Sequence, residues 1–231
     1  LDLYDNVVLP EPDTLFDNWS DNASAARHQE LEIDRHMHLN FDLFVDLTPD
    51  FEDPTPDKPA DRSAWNNMKR MTPEQLKVWR AAYGPRDAAL HAANLKGKDL
   101  VRWKYQRYAK NYLRTLVGVD ESVKRIQDTL KAQGLDENTI VIYSSDQGFY
   151  IGDHGWFDKR WMYEESLKMP FIVKWPGVTK PGSRDHHLIQ NLDYAETFLD
   201  IAGVAIPSDM QGASLVPLLK GEKPKDWRKS I

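Results

Sequence analysis

The stretch of residues 139–170 constrains the fold most, because it begins as a strand and continues as a glycine-rich loop of charged and aromatic side chains. Residues 139–145 are mostly β-branched or aromatic, which predicts a pleated, buried strand. Asp146 and Gln147 follow directly, and Lys159 lies further along the loop. Since ligands of open α/β sheets bind beyond the carboxyl ends of strands, the stretch predicts an α/β fold with a metal and anion site here.

Composition sets limits on the class of protein. The chain has 231 residues, of which 41% are hydrophobic and 29% charged, as is typical of a globular domain with a substantial core. A net charge of −6 argues against a nucleic-acid partner, and the lack of a long apolar run predicts no membrane span. The 231 residues contain no cysteine, which excludes disulfides and thiolate chemistry within them. Without an initiator Met or signal peptide, we expect a mature form or a fragment.

The first 70 residues are expected to be irregular and to wrap over a larger body, because prolines interrupt them at 10, 12, 49, 54, 56 and 59. Only residues 22–46 suggest a short helix or an extended segment. His36 and His38 flank Met37, and we expect surface histidines there rather than a metal-binding pair.

Two helices with clear signals follow. Thr72 as N-cap, Pro73 at the first position and Gln75 three residues after the cap predict a helix that ends near Tyr83, with a second helix over 86–94 after Gly84-Pro85. Apolar residues at helical spacing predict a long helix over 99–133, with Gly134 as its C′ residue. Its aromatic side chains are predicted to be core, and its basic ones solvated rather than bound to nucleic acid.

The C-terminal third predicts alternating strands and helices. A second strand is expected at 171–175 and an edge strand at 187–191. A helix is expected at 193–202, with Asp193 as N-cap and Gly203 at its end, and another at 214–220. Residues 222–231 are charged and are expected to form a loose tail.

The side chains of the loop allow more than one interpretation. Ca²⁺ accepts carboxylate and amide oxygens together, so Asp146 and Gln147 are candidate metal ligands; ordinary capping of the strand end is the alternative. Lys159 is either an anion clamp or proton donor, or a solvated surface lysine. His154 is either a hydrogen-bond donor to a substrate or one half of an Asp–His pair within the loop.

Other residues of the loop are support candidates. Glu164 and Glu165 are expected to hold Lys159 or Arg160 in place. Four aromatic residues could stack on a sugar ring or pack the loop, and we expect at least half of them to pack; they are Trp156, Phe157, Trp161 and Tyr163.

The combined motifs resemble a known family. The run S-D-Q-G-x-x-x-G-D-H-G-W-x-x-K-R, followed by Y-E-E-S-x-x-x-P, is similar to the C-terminal half of type I, formylglycine-dependent sulfatases. The later segments FIVKWPG, NLDYAETFLDIAG and MQGASLVPLL match in the same order. The resemblance is strongest to bacterial glucosamine-6-sulfatases and heparan-type sulfatases. It covers most of 99–221, with 1–98 as the family's intervening segment, and implies the C-terminal part of an alkaline-phosphatase-like α/β fold.

The resemblance also implies roles for single residues. Asp146 matches the carboxylate that binds the active-site Ca²⁺, and Gln147 matches the position beside it. Lys159 matches the lysine that holds the sulfate and helps protonate the leaving oxygen. His154 and Glu164 match positions near the substrate mouth. In the family, a hydrated formylglycine attacks sulfur while Ca²⁺ and lysines balance the charge of the sulfate oxygens.

The sequence departs from the family in more than one respect. It contains no C-x-P-x-R or S-x-P-x-R, the context in which formylglycine forms, and it lacks the paired aspartates that complete the Ca²⁺ site. We therefore expect a C-terminal portion of an enzyme that hydrolyses sulfate esters on sulfated carbohydrates, inactive by itself. A phosphoesterase of the same superfamily and a non-catalytic glycan-binding remnant are the alternatives. The resemblance implies a periplasmic or extracellular location.

Overall fold

The computed structural model describes residues 1–45, 66 and 68–231. Short 3-10 helices lie at Asp136–Asn138 and Asp153–Gly155. The α-helices and strands of the described residues are α1 (Ser24–Arg27), α2 (Pro73–Ala93), α3 (Gly97–Ala132), β1 (Val141–Ser144), β2 (Tyr150–Ile151), β3 (Phe157–Asp158), α4 (Glu164–Leu167), β4 (Phe171–Lys174), α5 (Asp193–Ile201) and α6 (Val216–Leu219). Across these described ranges, no helix has the length and apolar character needed to cross a membrane.

The chain divides into two compact units. The first unit comprises Leu1–Ser122 and Gly148–Lys168, and the second comprises Val123–Gln147 and Met169–Ile231. Helix α3 contributes residues to both units.

The core of the first unit is built largely by irregular chain. Side chains from residues 1–45 pack with α2 and the first half of α3 in one cluster of buried residues, which are Leu15, Ile33, Met37, Leu43, Val45, Leu90, Val101, Tyr105 and Ala109. The N-terminal segment therefore wraps over a larger body as the sequence predicts, with α1 as its short helix. Met37 is buried while His38 is exposed. The prolines at 49, 54, 56 and 59 lie outside the described residues.

Helix α2 begins as predicted but does not stop where the sequence indicates. Thr72 and Gln75 form a complete capping box, with Pro73 in the first turn. The helix then continues through Pro85 to Ala93, so the predicted break at Gly84-Pro85 is wrong. Proline removes one backbone hydrogen bond from a helix. Here the helix continues because residues beyond the proline are anchored: Leu90 enters the core, and Asp87 accepts a hydrogen bond from Arg107 at 3.1 Å.

Helix α3 confirms the predicted element and corrects the prediction about its basic residues. Gly134 has φ of 67°, and Leu135 N donates to Leu130 O at 2.9 Å, which closes the last turn as a C′ glycine does. Lys104 and Arg107, predicted to be solvated, are buried. Lys104 Nζ donates to the carbonyls of Ile33 and Asp34. These two bases therefore fasten the irregular N-terminal segment and α2 to α3.

The second half of α3 differs from the sequence prediction in burial. The predicted core stripe continues through Leu116, Val119 and Ile126, which are 38%, 37% and 58% exposed. The helical spacing is correct, but these side chains stay partly exposed instead of forming a core.

The second unit contains a two-stranded sheet. β1 and β4 pair antiparallel, with Val141 opposite Lys174 and Ser144 opposite Phe171. β1 is only half-buried, although its composition predicts a buried strand. Residues 187–191 form no strand, so the predicted edge strand is wrong.

Helix α5 and the last residues of the chain are joined by an ion pair. Asp193 is the first helical residue rather than the N-cap, and Gly203 follows the helix with φ of 69° as predicted. Both guanidinium Nη atoms of Arg228 donate to the fully buried Asp193 carboxylate at 2.6 Å. The expectation of a loose tail over 222–231 therefore differs from the structure at Arg228.

Candidate active site

The residues predicted to carry the chemistry are divided between the two units. Asp146 and Gln147 end the first segment of the second unit, directly after β1. His154, Lys159 and Glu164 belong to the first unit. No hydrogen bond or ion pair joins these last three residues to one another.

Asp146 and Gln147 occupy the turn that follows β1. The Asp146 side chain is exposed, and its Oδ1 atom accepts only a hydrogen bond from Ser145 Oγ at 3.3 Å among the described residues. Asn191 Nδ2 donates to the Asp146 carbonyl at 3.0 Å and so holds the backbone of the turn. Gln147 is half-buried. The turn therefore leaves a carboxylate that retains most of its acceptor capacity beside a neutral amide.

The donor chemistry of this pair fits part of a Ca²⁺ shell. Ca²⁺ takes six to eight oxygen ligands, and a carboxylate with an amide carbonyl are suitable members of that set. Among the residues that the structure describes, no group of three or more His, Asp or Glu side chains could hold a metal ion. Asp146 and Gln147 can therefore supply part of such a site but not the whole of it.

Lys159 is placed by a short hairpin. β2 and β3 pair antiparallel, with Tyr150 opposite Asp158 and Ile151 opposite Phe157. Asp158 adopts φ of 72°, a left-handed conformation, immediately before Lys159. Arg160 Nη1 contacts Asp158 Oδ2 at 2.5 Å. Since Arg160 occupies the neighbouring carboxylate, the exposed Lys159 ammonium forms no ion pair within the described part of the chain.

Tyr108 of helix α3 fixes both strands of this hairpin, and sequence reasoning missed it. Its hydroxyl donates to the Tyr150 carbonyl at 3.2 Å and accepts from Asp158 N at 3.3 Å. Burial raises the pKa of Tyr108, so the phenol keeps the proton that it donates. The helical spacing marked Tyr108 as core, but no signal in the sequence indicated its backbone partners.

His154 is held from several directions. Its backbone has φ of 56°, its N–H donates to Thr14 Oγ1 at 2.8 Å, and its carbonyl accepts from Trp19 Nε1 at 2.9 Å. The ring lies between two carboxylates: Nδ1 is 3.6 Å from Asp17, and Nε2 is 3.7 Å from Glu165. The aspartate beside the His154 ring therefore comes from the N-terminal segment, and not from within the loop.

The two glutamates of helix α4 have different surroundings. Glu164 is exposed and lies 3.7 Å from Lys168, one turn further along. Glu165 faces His154, and its Oε2 atom is buried without a hydrogen-bond partner. Neither carboxylate forms an ion pair with Lys159 or Arg160; Asp158 pairs with Arg160 instead, and Lys159 has no carboxylate partner within the described part of the chain.

Gly148 connects the loop to α4. Its N–H donates to Ser166 O at 2.7 Å, and a Cβ at this position would lie 2.1 Å from Glu165 O and 2.5 Å from Lys168 O. Only glycine allows this approach of two backbones. The backbone of Gly148, which directly follows Gln147, is therefore held in contact with helix α4.

The aromatic residues of the loop mainly pack. Trp156 is fully buried, stacks on Tyr163 with ring centroids 5.4 Å apart, and lies 5.8 Å from Trp19. Trp161 packs against the same cluster and remains half-buried. The expectation that at least half of the aromatic side chains pack is confirmed.

Comparison with known proteins relates the chain to sulfatases. Residues 152–231 match the family model described as N-sulphoglucosamine sulphohydrolase, C-terminal. The whole chain is 42% identical to an N-acetylglucosamine-6-O-sulfatase of Bacteroides thetaiotaomicron, of which it covers 41%. The chain is similar over its whole length to part of a sulfatase. An extracellular sulfatase SULF-1 homolog of Drosophila melanogaster is 37% identical over 108 residues, which are 46% of this chain and 10% of that relative.

Solved structures establish the fold of this part of a sulfatase. The chain superposes with a TM-score of 0.91 and 42% identity on a protein solved in complex with its substrate, D-glucosamine-2-N,6-O-disulfate. All of this chain and 46% of that one are covered. A phosphonate monoester hydrolase of Silicibacter pomeroyi gives a TM-score of 0.54 at 27% identity, with 70% of this chain and 29% of that one covered. The chain thus has the predicted fold, the C-terminal part of an alkaline-phosphatase-like sulfatase fold.

The matched relatives are longer than this chain. The chain spans less than half the length of the curated sulfatase and of the substrate-bound structure. The match over all 231 residues in each comparison means that the chain corresponds to one continuous part of those proteins.

Proposed function

We propose that this chain forms the non-nucleophile part of a sulfatase that hydrolyses sulfate esters on sulfated carbohydrates. The observation that carries the proposal is the match of the entire chain, at 42% identity and a TM-score of 0.91, to a protein whose substrate is a disulfated glucosamine. A sulfated amino sugar is therefore the proposed substrate class. Residues 1–98 are assigned to an intervening segment of the same domain, and 99–221 to its C-terminal part.

Lys159 is the proposed catalytic residue of this part. An ammonium group with no carboxylate partner among the described residues can bind an anionic sulfate oxygen directly and can give its proton to a leaving oxygen. The hairpin of β2 and β3 places it, and Tyr108 holds both strands of that hairpin. His154 and Glu164 are proposed to border the substrate, which their partly and fully exposed side chains permit.

Asp146 and Gln147 are the proposed metal ligands. A bound Ca²⁺ would neutralise charge on the sulfate oxygens, and a formylglycine from the rest of the enzyme would supply the nucleophile. The Asp146 carboxylate offers the charge for the cation, the Gln147 amide a neutral oxygen, and Asn191 keeps the turn in place through the Asp146 carbonyl.

A phosphonate or phosphate ester is the second candidate substrate class. The superposition on a phosphonate monoester hydrolase favours it, because sulfate and phosphonate esters share tetrahedral anionic centres with oxygen leaving groups. Cationic groups stabilise the developing charge in both reactions.

The location proposed for the sulfatase is periplasmic or extracellular.

A segment exchange tests the proposed function. In a chimera, residues 1–231 replace the matched segment of the Bacteroides thetaiotaomicron N-acetylglucosamine-6-O-sulfatase. The rest of that enzyme supplies the part of the sulfatase that this chain does not cover. We expect this chimera to release sulfate from a 6-sulfated glucosamine. The isolated 231-residue chain is expected to release none, because its sequence contains no C-x-P-x-R or S-x-P-x-R.

The assay distinguishes the two candidate reactions. The chimera is supplied in parallel with a sulfated aryl ester and an aryl phosphonate monoester, and release of the same phenol is measured. Faster release from the phosphonate would favour the second candidate. A folded chimera that turns over neither ester would contradict both candidate reactions. Turnover by the isolated chain would contradict the proposal that the nucleophile comes from the rest of the enzyme.

A further inference from the structure

Helices α2 and α3 bring together a group of positive charges that the proposed reaction does not use. Arg86 belongs to α2, and Arg107, Lys110 and Arg114 belong to α3. The side chains of Arg86, Arg107 and Arg114 are only 21%, 5% and 8% exposed. Since a buried charge is costly unless it is paired and hydrogen-bonded, each of these guanidinium groups needs partners for its N–H groups.

Two carboxylates satisfy part of this need. Asp87 accepts a hydrogen bond from Arg107 Nη2 at 3.1 Å. Asp5 accepts one from Arg86 Nη2 at 2.5 Å and another from Arg114 Nη2 at 2.7 Å. A single carboxylate therefore serves two of the three arginines.

The charge that remains in this group is positive. Lys110 forms no ion pair within the described part of the chain, and Asp2, which lies 3.4 Å from Arg86, is 88% exposed. Burial lowers the pKa of Arg107, and the neighbouring charges of Arg86 and Arg114 lower it further. Burial and the same two neighbours also lower the pKa of Lys110. The cations are therefore close enough to repel one another.

Two buried donors of this group have no partner. Arg86 Nη1 and Arg107 Nη1 are both buried and form no hydrogen bond with the described residues. Both guanidinium groups lie over the ring of Tyr83, with their Cζ atoms 4.9 and 4.3 Å from its centroid. Trp79 stacks on Tyr83 at 4.0 Å and covers one face, which leaves the other face for the two guanidinium groups. The two unpartnered N–H groups therefore belong to neighbouring cations.

We propose that a small monovalent anion binds between Arg86 and Arg107 and accepts a hydrogen bond from Nη1 of each. A charged acceptor forms a stronger hydrogen bond than a neutral one, and it offsets the excess positive charge, which a water molecule does not. The same arginines anchor the start of the chain, because Arg86 Nη2 donates to the Leu1 carbonyl and Arg114 Nε to the Leu3 carbonyl. The bound anion stabilises the attachment of residues 1–5 to α2 and α3, independently of any sulfatase activity.

Thermal unfolding of the 231-residue chain tests the site with chloride as the probe. Chloride is exchanged for gluconate at constant sodium concentration and ionic strength. We expect the melting temperature to rise saturably with chloride, by about 3–6 °C at ten times the dissociation constant. Arg86→Met removes one of the two donors and should abolish this rise. A parent chain whose melting temperature does not depend on chloride would overturn the proposal.

Arg114→Met is the matched control. It removes the same charge and the same contact with Asp5, but Arg114 Nη1 already donates to Asn111 at 2.9 Å and is not a proposed ligand of the anion. We expect this variant to keep the chloride-dependent rise. An equal loss in Arg86→Met and Arg114→Met would show that chloride only screens charge, and would contradict a specific site.

Bromide locates the anion directly and requires no variant. Crystals of the parent chain are soaked in bromide, and anomalous diffraction identifies the bound ions. We expect a peak within hydrogen-bonding distance of both Arg86 Nη1 and Arg107 Nη1. A water molecule that bridges these two atoms, or bromide found only elsewhere, would overturn the site whatever chloride does to the melting temperature.

Discussion

Lys159 is the residue on which the proposed chemistry depends most. It is exposed, and its neighbour Arg160 occupies Asp158, so the Lys159 ammonium has no role in holding the hairpin together. We predict that Lys159→Ala in the chimera lowers kcat at least about 100-fold, because a general acid and an anion-binding charge are lost together. The melting temperature should stay unchanged, since surface substitutions without contacts have small effects.

Lys168→Ala is the control for that substitution. Lys168 is also exposed and lies 3.7 Å from Glu164 in the same loop region, but it has no proposed part in the reaction. Sulfate release and thermal unfolding are measured for both variants. Equal loss of activity in the two would mean that general surface charge matters, and an unchanged kcat in Lys159→Ala would remove this lysine from the mechanism.

Tyr108 is predicted to be a positioning residue for the hairpin that carries Lys159. Tyr108→Phe removes the donor to Tyr150 O and the acceptor for Asp158 N, which should destabilise the chain by about 1–2 kcal/mol. Tyr112→Phe is the control, because Tyr112 stacks on Phe149 and its hydroxyl forms no hydrogen bond within the described residues. Denaturant unfolding of both variants checks the prediction, and equal stabilities would contradict it.

The sequence identifies candidate residues but not their partners. Asp158, Lys159 and Arg160 are consecutive, so the sequence shows that one carboxylate could serve either cation, yet it cannot decide which. His154 shows the same limit more strongly: its partner Asp17 lies in the N-terminal segment, and Glu165 approaches from α4. Such contacts depend on how distant segments pack, which local spacing does not encode.

At the scale of elements, Gly148 fixes the loop that follows Gln147. Gly148→Ala would place its Cβ 2.1 Å from Glu165 O and 2.5 Å from Lys168 O, so the loop or α4 has to move. Overpacking against backbone typically costs about 1–3 kcal/mol. We predict a loss of stability in that range for the 231-residue chain, measured by denaturant unfolding.

Gly118→Ala provides the matched comparison within a helix. Gly118 lies inside α3, and no atom would come within 4 Å of an added Cβ. Gly118→Ala should therefore stabilise the chain by about 0.5–1 kcal/mol, since alanine favours the helix more than glycine does. Stabilisation by both substitutions would show that the close contact at Gly148 is absent in solution.

Elements with strong local signals are predicted well from the sequence, and tertiary contacts explain the exceptions. The capping box of α2 and the terminal glycine of α3 are local, and both are found as predicted. The predicted break at Pro85 failed because packing of Leu90 and the Asp87–Arg107 pair hold the helix beyond it. The predicted edge strand at 187–191 rested on composition alone.

At the scale of the whole molecule, the two units differ in how completely they bury their apolar residues. All the core clusters found among the described residues lie in the first unit. The second unit exposes large side chains instead, among them Ile126, Ile172 and Phe198 at 58%, 64% and 53%. The helical spacing predicts Ile126 as core, whereas the structure leaves it exposed, because a pattern cannot state which polypeptide covers a side chain. The relatives, more than twice as long, contain additional chain.

The ion pair of Asp193 and Arg228 makes stability of the second unit depend on pH. Burial raises the pKa of Asp193, but hydrogen bonds from Arg228, Ala213 N and Gln190 N outweigh burial, and the net pKa lies below its ordinary 3.8. A carboxyl whose folded pKa is depressed stabilises the fold above its unfolded pKa. That stabilisation is lost as the pH falls below about 4 and through the folded pKa.

Arg228→Met tests this ion pair, because it leaves the fully buried Asp193 charge without its cation. Removing one partner of a buried pair typically costs about 3–5 kcal/mol, and we predict a loss near the lower end at pH 7, since Ala213 N and Gln190 N still donate to Asp193. The difference from the parent chain should shrink as the pH falls below about 4 and through the depressed folded pKa of Asp193. Unfolding is followed at several pH values, with Lys229→Met as control because Lys229 is exposed. A difference that stays constant with pH would show that Arg228 acts by packing of its side chain rather than by its charge.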